Sequence, residues 1–100
     1  MIYITQLIFL KKGEEKAFHQ FESIVIPLLS NYRGKLLLRL QTDKGDVISA
    51  GMEKPDEVHL VSFETEQDYL EFCRDETRQN FLHLKEQSIR SVLSIKGVSI

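Results

Sequence analysis

Arg39 and His59 are the two residues of this sequence whose chemistry is hardest to explain by folding alone. Arg39 lies within an apolar run at residues 36–40, where an inward-facing guanidinium must find an anion or several carbonyl groups. His59 carries an imidazole, which suits acid–base work near neutral pH, and it alternates with Val61 and Phe63 along a second apolar run. We therefore predict Arg39 and His59 as the candidate catalytic residues, with no reaction assigned to them.

Both side chains also have ordinary structural interpretations. Arg39 can pair with an acidic residue of its own chain or of a partner, reach water from an edge strand, or hold the carboxylate or enolate of a ligand in a cleft. His59 can be a core or interface residue, or it can contact a ligand. The sequence leaves these alternatives open.

Tyr3 and Thr5 stand two positions apart in the first apolar run, so they share one face of the predicted strand. Depending on the strand register, that face lines the same cleft as Arg39 or is a plain sheet surface. The predicted ligand-binding residues are therefore Arg39, His59, Tyr3 and Thr5.

No metal or cofactor pattern accompanies these residues. The histidines show no HxxxH spacing, and the single Cys73 has no CxxC partner, so no metal site is predicted. His19 and His83 fall on the polar faces of their predicted helices, whereas Tyr69 and Cys73 share a helical face and are predicted to pack. Nothing in the sequence indicates haem or flavin, and no cofactor is predicted.

The spacing of apolar residues predicts the elements that position these side chains. β-branched and aromatic residues predict four strands, at residues 2–11, 35–42, 57–64 and 90–96. Three- and four-residue spacing predicts a long amphipathic helix over residues 14–32 and a second helix that begins with a capping box at Thr65 to Asp68 and breaks near Arg74 and Asp75. The order βαββαβ predicts one α+β, ferredoxin-like domain over residues 1–100, with a four-stranded antiparallel sheet and both helices on one face.

Three local signals refine this picture. Pro27 lies inside the first predicted helix, where its ring and missing N–H predict a kink. Gly34 follows that helix and is predicted as its left-handed cap. Residues 43–56 contain glycines, a proline and several aspartates, which predicts a long loop between two strands.

The predicted sheet carries apolar residues on both faces, but only one layer of helices is available to cover it. A sheet covered on one side alternates hydrophobic and polar residues, and the strands at 2–10, 36–40, 58–63 and 92–95 do so only weakly. The second strand also lies at an edge of the predicted sheet, where an uncovered apolar strand invites aggregation. We therefore predict a homodimer in which two sheets pack face to face.

Composition excludes several classes of function. Fifteen acidic and thirteen basic residues give a net charge of -2, and the scattered basic residues predict no nucleic-acid-binding surface. No apolar run approaches the roughly 20 residues that cross a bilayer, so no membrane partner is predicted. Residues 1–10 are predicted as a strand rather than a signal peptide, because Lys11 and Lys12 follow the apolar run. The single cysteine fits a reducing compartment, which predicts a cytoplasmic protein.

A family resemblance covers most of the chain. It is carried by residues 21–29 (Phe-Glu-Ser-Ile-Val-Ile-Pro-Leu-Leu), 31–34 (Asn-Tyr-Arg-Gly), 37–39 (Leu-Leu-Arg) and 58–63 (Val-His-Leu-Val-Ser-Phe). These segments resemble the small proteins of the DUF1330 group, which belongs to the dimeric α/β-barrel superfamily. The resemblance implies a dimeric ferredoxin-like barrel with a cleft between the helix-covered sheet and the loops, and Arg39 matches the family arginine by position. The group has no agreed activity, while the wider superfamily includes cofactor-independent monooxygenases, muconolactone isomerases and haem-handling enzymes.

The leading functional hypothesis is a homodimeric protein that binds a small anionic or aromatic molecule in a cleft next to the sheet. One alternative is a cofactor-independent enzyme of monooxygenase or isomerase type, in which Arg39 holds an oxyanion and His59 or Tyr3 transfers a proton. Another alternative is a structural or regulatory dimer without a pocket. The sequence does not decide whether the protein is an enzyme.

Overall fold

Four strands and four α-helices follow one another in the computed structural model, which describes residues 1–100. The strands are β1 (Ile2–Leu10), β2 (Gly34–Gln41), β3 (Glu57–Phe63) and β4 (Ile89–Gly97). The α-helices are α1 (Glu15–Val25), α2 (Glu66–Cys73), α3 (Glu76–Asn80) and α4 (Leu82–Ser88), and two 3₁₀ helices span Ile26–Tyr32 and Lys44–Asp46.

All four strands form one antiparallel sheet in the order β2-β3-β1-β4. The α+β, ferredoxin-like class predicted from the sequence is therefore confirmed, and the second strand lies at an edge of the sheet as predicted. In the register of the sheet, Gln6 of β1 lies opposite His59 of β3 on one side and opposite Ser94 of β4 on the other. Directly opposed side chains share a face, so these three residues lie on one face of the sheet.

The hydrophobic core lies between that face and the helices. Ile8 of β1, Phe18 of α1 and Phe63 of β3 are the apolar side chains most completely removed from solvent. Phe21 and Val25 continue the buried stripe of α1 at helical spacing. The molecule measures 36 × 36 × 16 Å. Its shortest dimension is the thickness of one sheet with one helical layer.

Pro27 changes the type of the first helix. α1 ends at Val25 and the chain continues as a 3₁₀ helix, in which Pro27 occupies the first turn and so leaves no missing hydrogen bond in the α-helix. The residue that adopts the left-handed conformation at the end of this segment is Arg33, with a φ of 55°. The prediction that Gly34 forms the left-handed cap is therefore wrong. Gly34 is required for space instead, because a Cβ atom there would lie 2.6 Å from Cε1 of Phe63.

The second helical region begins and breaks as predicted and then breaks once more. Thr65 and Asp68 form a reciprocal capping box at the start of α2, which confirms the predicted cap. α2 ends at Cys73, and the side chain of Asp75 accepts a hydrogen bond from the backbone N–H of Arg78 to begin α3. Phe81 separates α3 from α4, a second break that the sequence pattern did not indicate.

The opposite face of the sheet has no helical cover. Leu38 and Leu40 of β2 and Leu93 and Ile95 of β4 are each about half exposed there. The long loop predicted at residues 43–56 is present, apart from the short 3₁₀ turn. None of the helices is long and apolar enough to cross a membrane.

Candidate functional site

A β-bulge in β2 decides where Arg39 points. Leu36 pairs with Val61 and Leu38 pairs with Leu60, so Leu37 is an extra residue on the β2 side of the ladder. An extra residue reverses the alternation of the side chains that follow it. Arg39 therefore lies opposite His59 and shares its face, on the helix-covered side of the sheet.

Arg39 and His59 are joined by the carboxylate of Glu57. Arg39 Nε donates to Glu57 Oε1 over 2.8 Å, and the same oxygen lies 3.0 Å from His59 Nε2. The side chains of Glu57 and His59 are each 4% exposed, whereas that of Arg39 is 31% exposed. Burial raises the pKa of Glu57, but hydrogen bonds from His59 and Arg39 outweigh it and leave this pKa below its ordinary value.

This chain of contacts fixes the tautomer of His59. A carboxylate can only accept hydrogen bonds, so the proton between His59 and Glu57 must belong to His59 Nε2. The other ring nitrogen, Nδ1, then faces the remaining acidic residue of the cluster. That residue is Glu22 of α1, whose Oε2 lies 3.7 Å from His59 Nδ1.

Glu22 sits in the buried stripe of α1, one turn from Phe18 and Val25. Burial raises the pKa of this carboxyl, and the positive charges of His59 and Arg39 oppose that rise only in part. Arg39 and Glu57 neutralise each other, which leaves Glu22 as the acidic group of the cluster without a hydrogen-bonded cation.

A cavity of about 400 Å³ opens beside this cluster, between the helices and the sheet. His59, Glu22 and Gln6 supply polar groups at one end of the cavity, and most of the remaining wall is apolar. Three aromatic side chains pack against one another in that wall, with ring centroids 5.4 Å apart for Phe63 and Tyr69 and 5.6 Å apart for Phe63 and Phe72. The arrangement is an apolar pocket with a few convergent polar groups.

The structure divides the four sequence-predicted site residues between the two faces of the sheet. His59 lines the cavity, and Arg39 stands behind it through Glu57. Tyr3 and Thr5 lie on the uncovered face, where they border a shallow depression next to Ile95. The register therefore does not place Tyr3 and Thr5 in the cleft of His59, and a ligand role for them stays a prediction about the other face.

Sequence reasoning did not identify Glu22 and Glu57 as site residues. Both had a recognisable signal: Glu22 interrupts the apolar stripe of α1, and Glu57 precedes His59 by two residues and so shares its strand face. Tyr69 and Cys73, predicted to pack, are half-buried and line the cavity. His19 and His83 are exposed as predicted, and His19 Nε2 lies 3.8 Å from Glu57 Oε2.

Comparisons with known proteins identify the fold. No family model matches the chain, and no curated protein matches its sequence. A solved protein of unknown function from Rhodopseudomonas palustris superposes with a TM-score of 0.84 at 15% identity, covering 99% of this chain and 82% of that one. A nipsnap family protein with unknown function from Agrobacterium tumefaciens gives a TM-score of 0.71 at 17% identity, with 97% and 86% coverage.

A third solved structure carries a name that suggests an activity. It is a candidate antibiotic biosynthesis monooxygenase from Nitrosomonas europaea, with a TM-score of 0.74 at 10% identity and coverage of 100% of this chain and 99% of that one. At such identities the likeness shows a shared ferredoxin-like architecture and nothing about chemistry. The function must therefore be argued from the site itself.

Proposed function

We propose that this protein binds a small, largely apolar molecule in the cavity between its helices and its sheet. The observation that carries the proposal is the cavity itself, because its volume of about 400 Å³ is in the range of ligand pockets and buried polar groups converge at one end. The packed rings of Phe63, Tyr69 and Phe72 support an aromatic ligand, since aromatic pairs gain from offset and edge contacts.

An anionic ligand has less support. Arg39, the cation predicted to hold it, already donates to Glu57 and lies behind His59. Arg78 and Lys85 also reach the cavity wall, but the Arg78 guanidinium donates to the carbonyl of Cys73 and stacks over Phe72. We therefore retain the prediction of an aromatic ligand and not that of an anionic one.

A thermal-shift screen with neutral, anionic and cationic aromatic fragments tests the binding proposal. A ligand present at about 100 times its dissociation constant stabilises the folded state by about 2.7 kcal/mol, which raises the melting temperature by many degrees in a domain of this size. Ser94→Trp is expected to abolish the shift, because Ser94 is exposed on the edge strand β4 and its side chain lines the cavity.

Ser23→Trp is the matched control, since Ser23 is exposed on α1 and does not line the cavity. It is expected to leave every shift unchanged. If no fragment stabilises the protein, or if Ser94→Trp leaves the shifts intact, the cavity is not a binding site. A structural or regulatory dimer without a pocket then becomes the better interpretation.

We also propose that the uncovered face of the sheet packs against the same face of a second copy. From strand spacing and rise the face measures roughly 19 by 26 Å, or about 500 Å² in projection, which is of the same order as the ~800 Å² per partner of a standard interface. Both of its edge strands carry apolar side chains, with Leu38, Leu40, Leu93 and Ile95 half exposed in one protomer. The likeness to the DUF1330 group adds support, because that group belongs to a dimeric superfamily.

Sedimentation-velocity measurements at micromolar concentration test the dimer. The unaltered protein is expected to sediment as a dimer, with twice the chain mass of 11.6 kDa. Leu93→Glu places a charge within the proposed interface, on the apolar edge strand β4, and is expected to give a monomer. Leu70→Glu is the control, because Leu70 is exposed to a similar degree on α2 and is expected to leave the dimer intact.

A cofactor-independent enzyme is the second candidate, and one observation favours it. Glu57 holds His59 with Nε2 protonated and with Nδ1 directed toward the cavity end at Glu22, which is the arrangement of an oriented general base. In an isomerase, His59 Nδ1 would accept a proton from a carbon next to a carbonyl group, leaving an enolate, and would return the proton to another carbon of that enolate. Tyr3 cannot share this work from the opposite face of the sheet.

Hydrogen–deuterium exchange at the enolisable carbons of 2-tetralone in D₂O, followed by NMR, tests the second candidate. Catalysed exchange is expected for the unaltered protein and is expected to fall by at least tenfold in His59→Gln, whereas His83→Gln is the exposed control and is expected to retain it. Exchange at the buffer rate, or equal exchange in both variants, removes the candidate.

The location of the protein in the cell is a further part of the proposal. Cys73 is the single cysteine and remains a free, half-buried thiol. A domain that relies on no disulfide is suited to a reducing compartment, which supports a cytoplasmic location.

A further inference from the structure

The Glu22 carboxyl is largely buried although no group of the protein donates a hydrogen bond to it. Its side chain is 10% exposed, lies in the cavity wall, and receives no hydrogen bond from the protein. No fully buried side-chain oxygen or nitrogen lacks a hydrogen-bond partner, so the oxygens of Glu22 must reach the cavity surface. A carboxyl that is nine-tenths buried and unpartnered is costly unless something in the cavity donates to it.

His59 presents a second acceptor to the same space. In the neutral imidazole the Nε2 proton is directed to Glu57, so Nδ1 carries a free lone pair. The separation of 3.7 Å between Nδ1 and Glu22 Oε2 is too long for a direct hydrogen bond. A donor from a ligand can therefore reach either atom, and both converge on one end of the cavity.

Arg78 and Lys85 also line the cavity, but the charged groups around His59 disfavour an anion there. The carboxylate of Glu57 lies directly behind His59, and its positive partner Arg39 is already satisfied by it. A carboxylate ligand would meet Glu22 at short range in a site that burial shields from water, where like charges repel most strongly. A neutral donor adds no further negative charge to this end of the cavity.

We propose that Glu22 determines the specificity of this cavity, so that it accepts uncharged apolar molecules bearing a hydroxyl group, such as an alcohol, a phenol or an enol, and excludes carboxylates. This inference rests on the proposed binding function. The hydroxyl donates its proton to Glu22 Oε2 or to His59 Nδ1, and the apolar body lies against Phe63 and Phe72. Recognition depends on a largely buried acceptor that receives no hydrogen bond from the protein.

Four bicyclic probes of one shape test the specificity by isothermal titration calorimetry: 2-naphthol, 2-methoxynaphthalene, 2-naphthoate and 2-naphthylmethylamine. We expect 2-naphthol to bind at least tenfold more tightly than the methoxy compound, which lacks the donor, and at least tenfold more tightly than the naphthoate. Equal affinity for naphthol and its methyl ether overturns the inference. Tighter binding of the naphthoate or of the amine also overturns it.

Variants of Glu22 assign the preference to this residue. Glu22→Gln keeps an acceptor but removes the charge, so the naphthoate is expected to gain about tenfold in affinity. Glu22→Leu removes the acceptor and is expected to reduce the advantage of naphthol over its methyl ether. Glu15→Gln is the matched control on α1, exposed to solvent and outside the cavity, and is expected to change neither ratio.

The results separate the two proposals. Binding of all four probes without a preference for the hydroxyl contradicts the role of Glu22 and leaves the cavity as a ligand site. Failure of all four probes to bind contradicts both. If the Glu22 variants do not fold, the ranking of the four probes on the unaltered protein still decides the inference.

Discussion

Arg39 is tied to the fold by the carboxylate that it neutralises. Arg39→Met removes the partner of Glu57, whose side chain is 4% exposed, and leaves that carboxylate buried with only His59 as a donor. Breaking a buried pair costs about 3–5 kcal/mol, and the partial exposure of Arg39 reduces this to about 2–3 kcal/mol. Urea unfolding measures the loss in the free energy of unfolding.

The matched control for that prediction is Arg74→Met, because Arg74 is exposed and makes no ion pair. A double variant that combines Arg39→Met with Glu57→Gln is expected to recover most of the lost stability, since it removes the stranded charge as well. An Arg39→Met protein as stable as the Arg74→Met protein contradicts this account of the pair.

Glu22 and Glu57 are expected to make stability depend on pH in opposite directions. The pKa of Glu22 is raised above its ordinary 4.5, so its contribution to stability is complete below about pH 4.5 and is lost as pH rises through the folded-state value. The pKa of Glu57 is lowered from 4.5, so its contribution is present above that pH and is lost on acidification.

Glu22→Gln isolates the first of these effects. The variant is expected to lose the decline in the free energy of unfolding that the unaltered protein shows as pH rises above about 4.5, while keeping the loss of stability at lower pH. Urea titrations at a series of pH values compare the two proteins. An unchanged slope above pH 4.5 in the variant contradicts the assignment to Glu22.

The sequence could identify His59 and Arg39 as candidate site residues, but it could not show which residues they contact. Both stood out because a cationic or titratable side chain is rare within an apolar strand. Their joint orientation depends on the extra residue at Leu37, and a bulge arises from the pairing of two strands rather than from either sequence alone. Without it, Arg39 would face the uncovered side of the sheet.

At the scale of the elements, the sequence correctly singled out Gly34 but assigned it the wrong structural role. The pattern of a glycine after a helix indicated a left-handed cap, whereas Arg33 takes that conformation and Gly34 makes room for Phe63. The close approach of Gly34 to the ring of Phe63, its partner on the neighbouring strand β3, is a tertiary contact, which local propensity does not encode. The capping box at Thr65 is local, and the sequence predicted it correctly.

Gly34→Ala is expected to destabilise the fold for that steric reason. The new Cβ would lie 2.6 Å from Cε1 of Phe63 and 3.0 Å from the carbonyl oxygen of Leu29, and overpacking of this kind costs about 1–3 kcal/mol. Gly51→Ala is the control, because a Cβ at Gly51 meets nothing within 4 Å. Thermal unfolding that shows both variants equally stable contradicts the proposed contact.

At the scale of the whole molecule, the weak alternation of the strands carried the most information. It indicated apolar residues on both faces of the sheet, and the structure shows that one face has helices while the other has none. The fold class and strand order followed from the sequence because they depend on patterns spread over many residues. The cavity could not be predicted from the sequence, because its shape depends on how α1 and the broken second helical region pack on the sheet.

If a second copy covers the open face, the stability of each protomer is linked to association. Unfolding then includes dissociation, so the melting temperature is expected to rise with protein concentration. Leu93→Glu is expected to remove this dependence and to lower the melting temperature, because the half-exposed leucines of one sheet lose their apolar cover. Leu70→Glu, on α2, is expected to keep the dependence. Scanning calorimetry over a hundredfold range of concentration distinguishes the cases, and a melting temperature independent of concentration in the unaltered protein contradicts a dimer linked to folding.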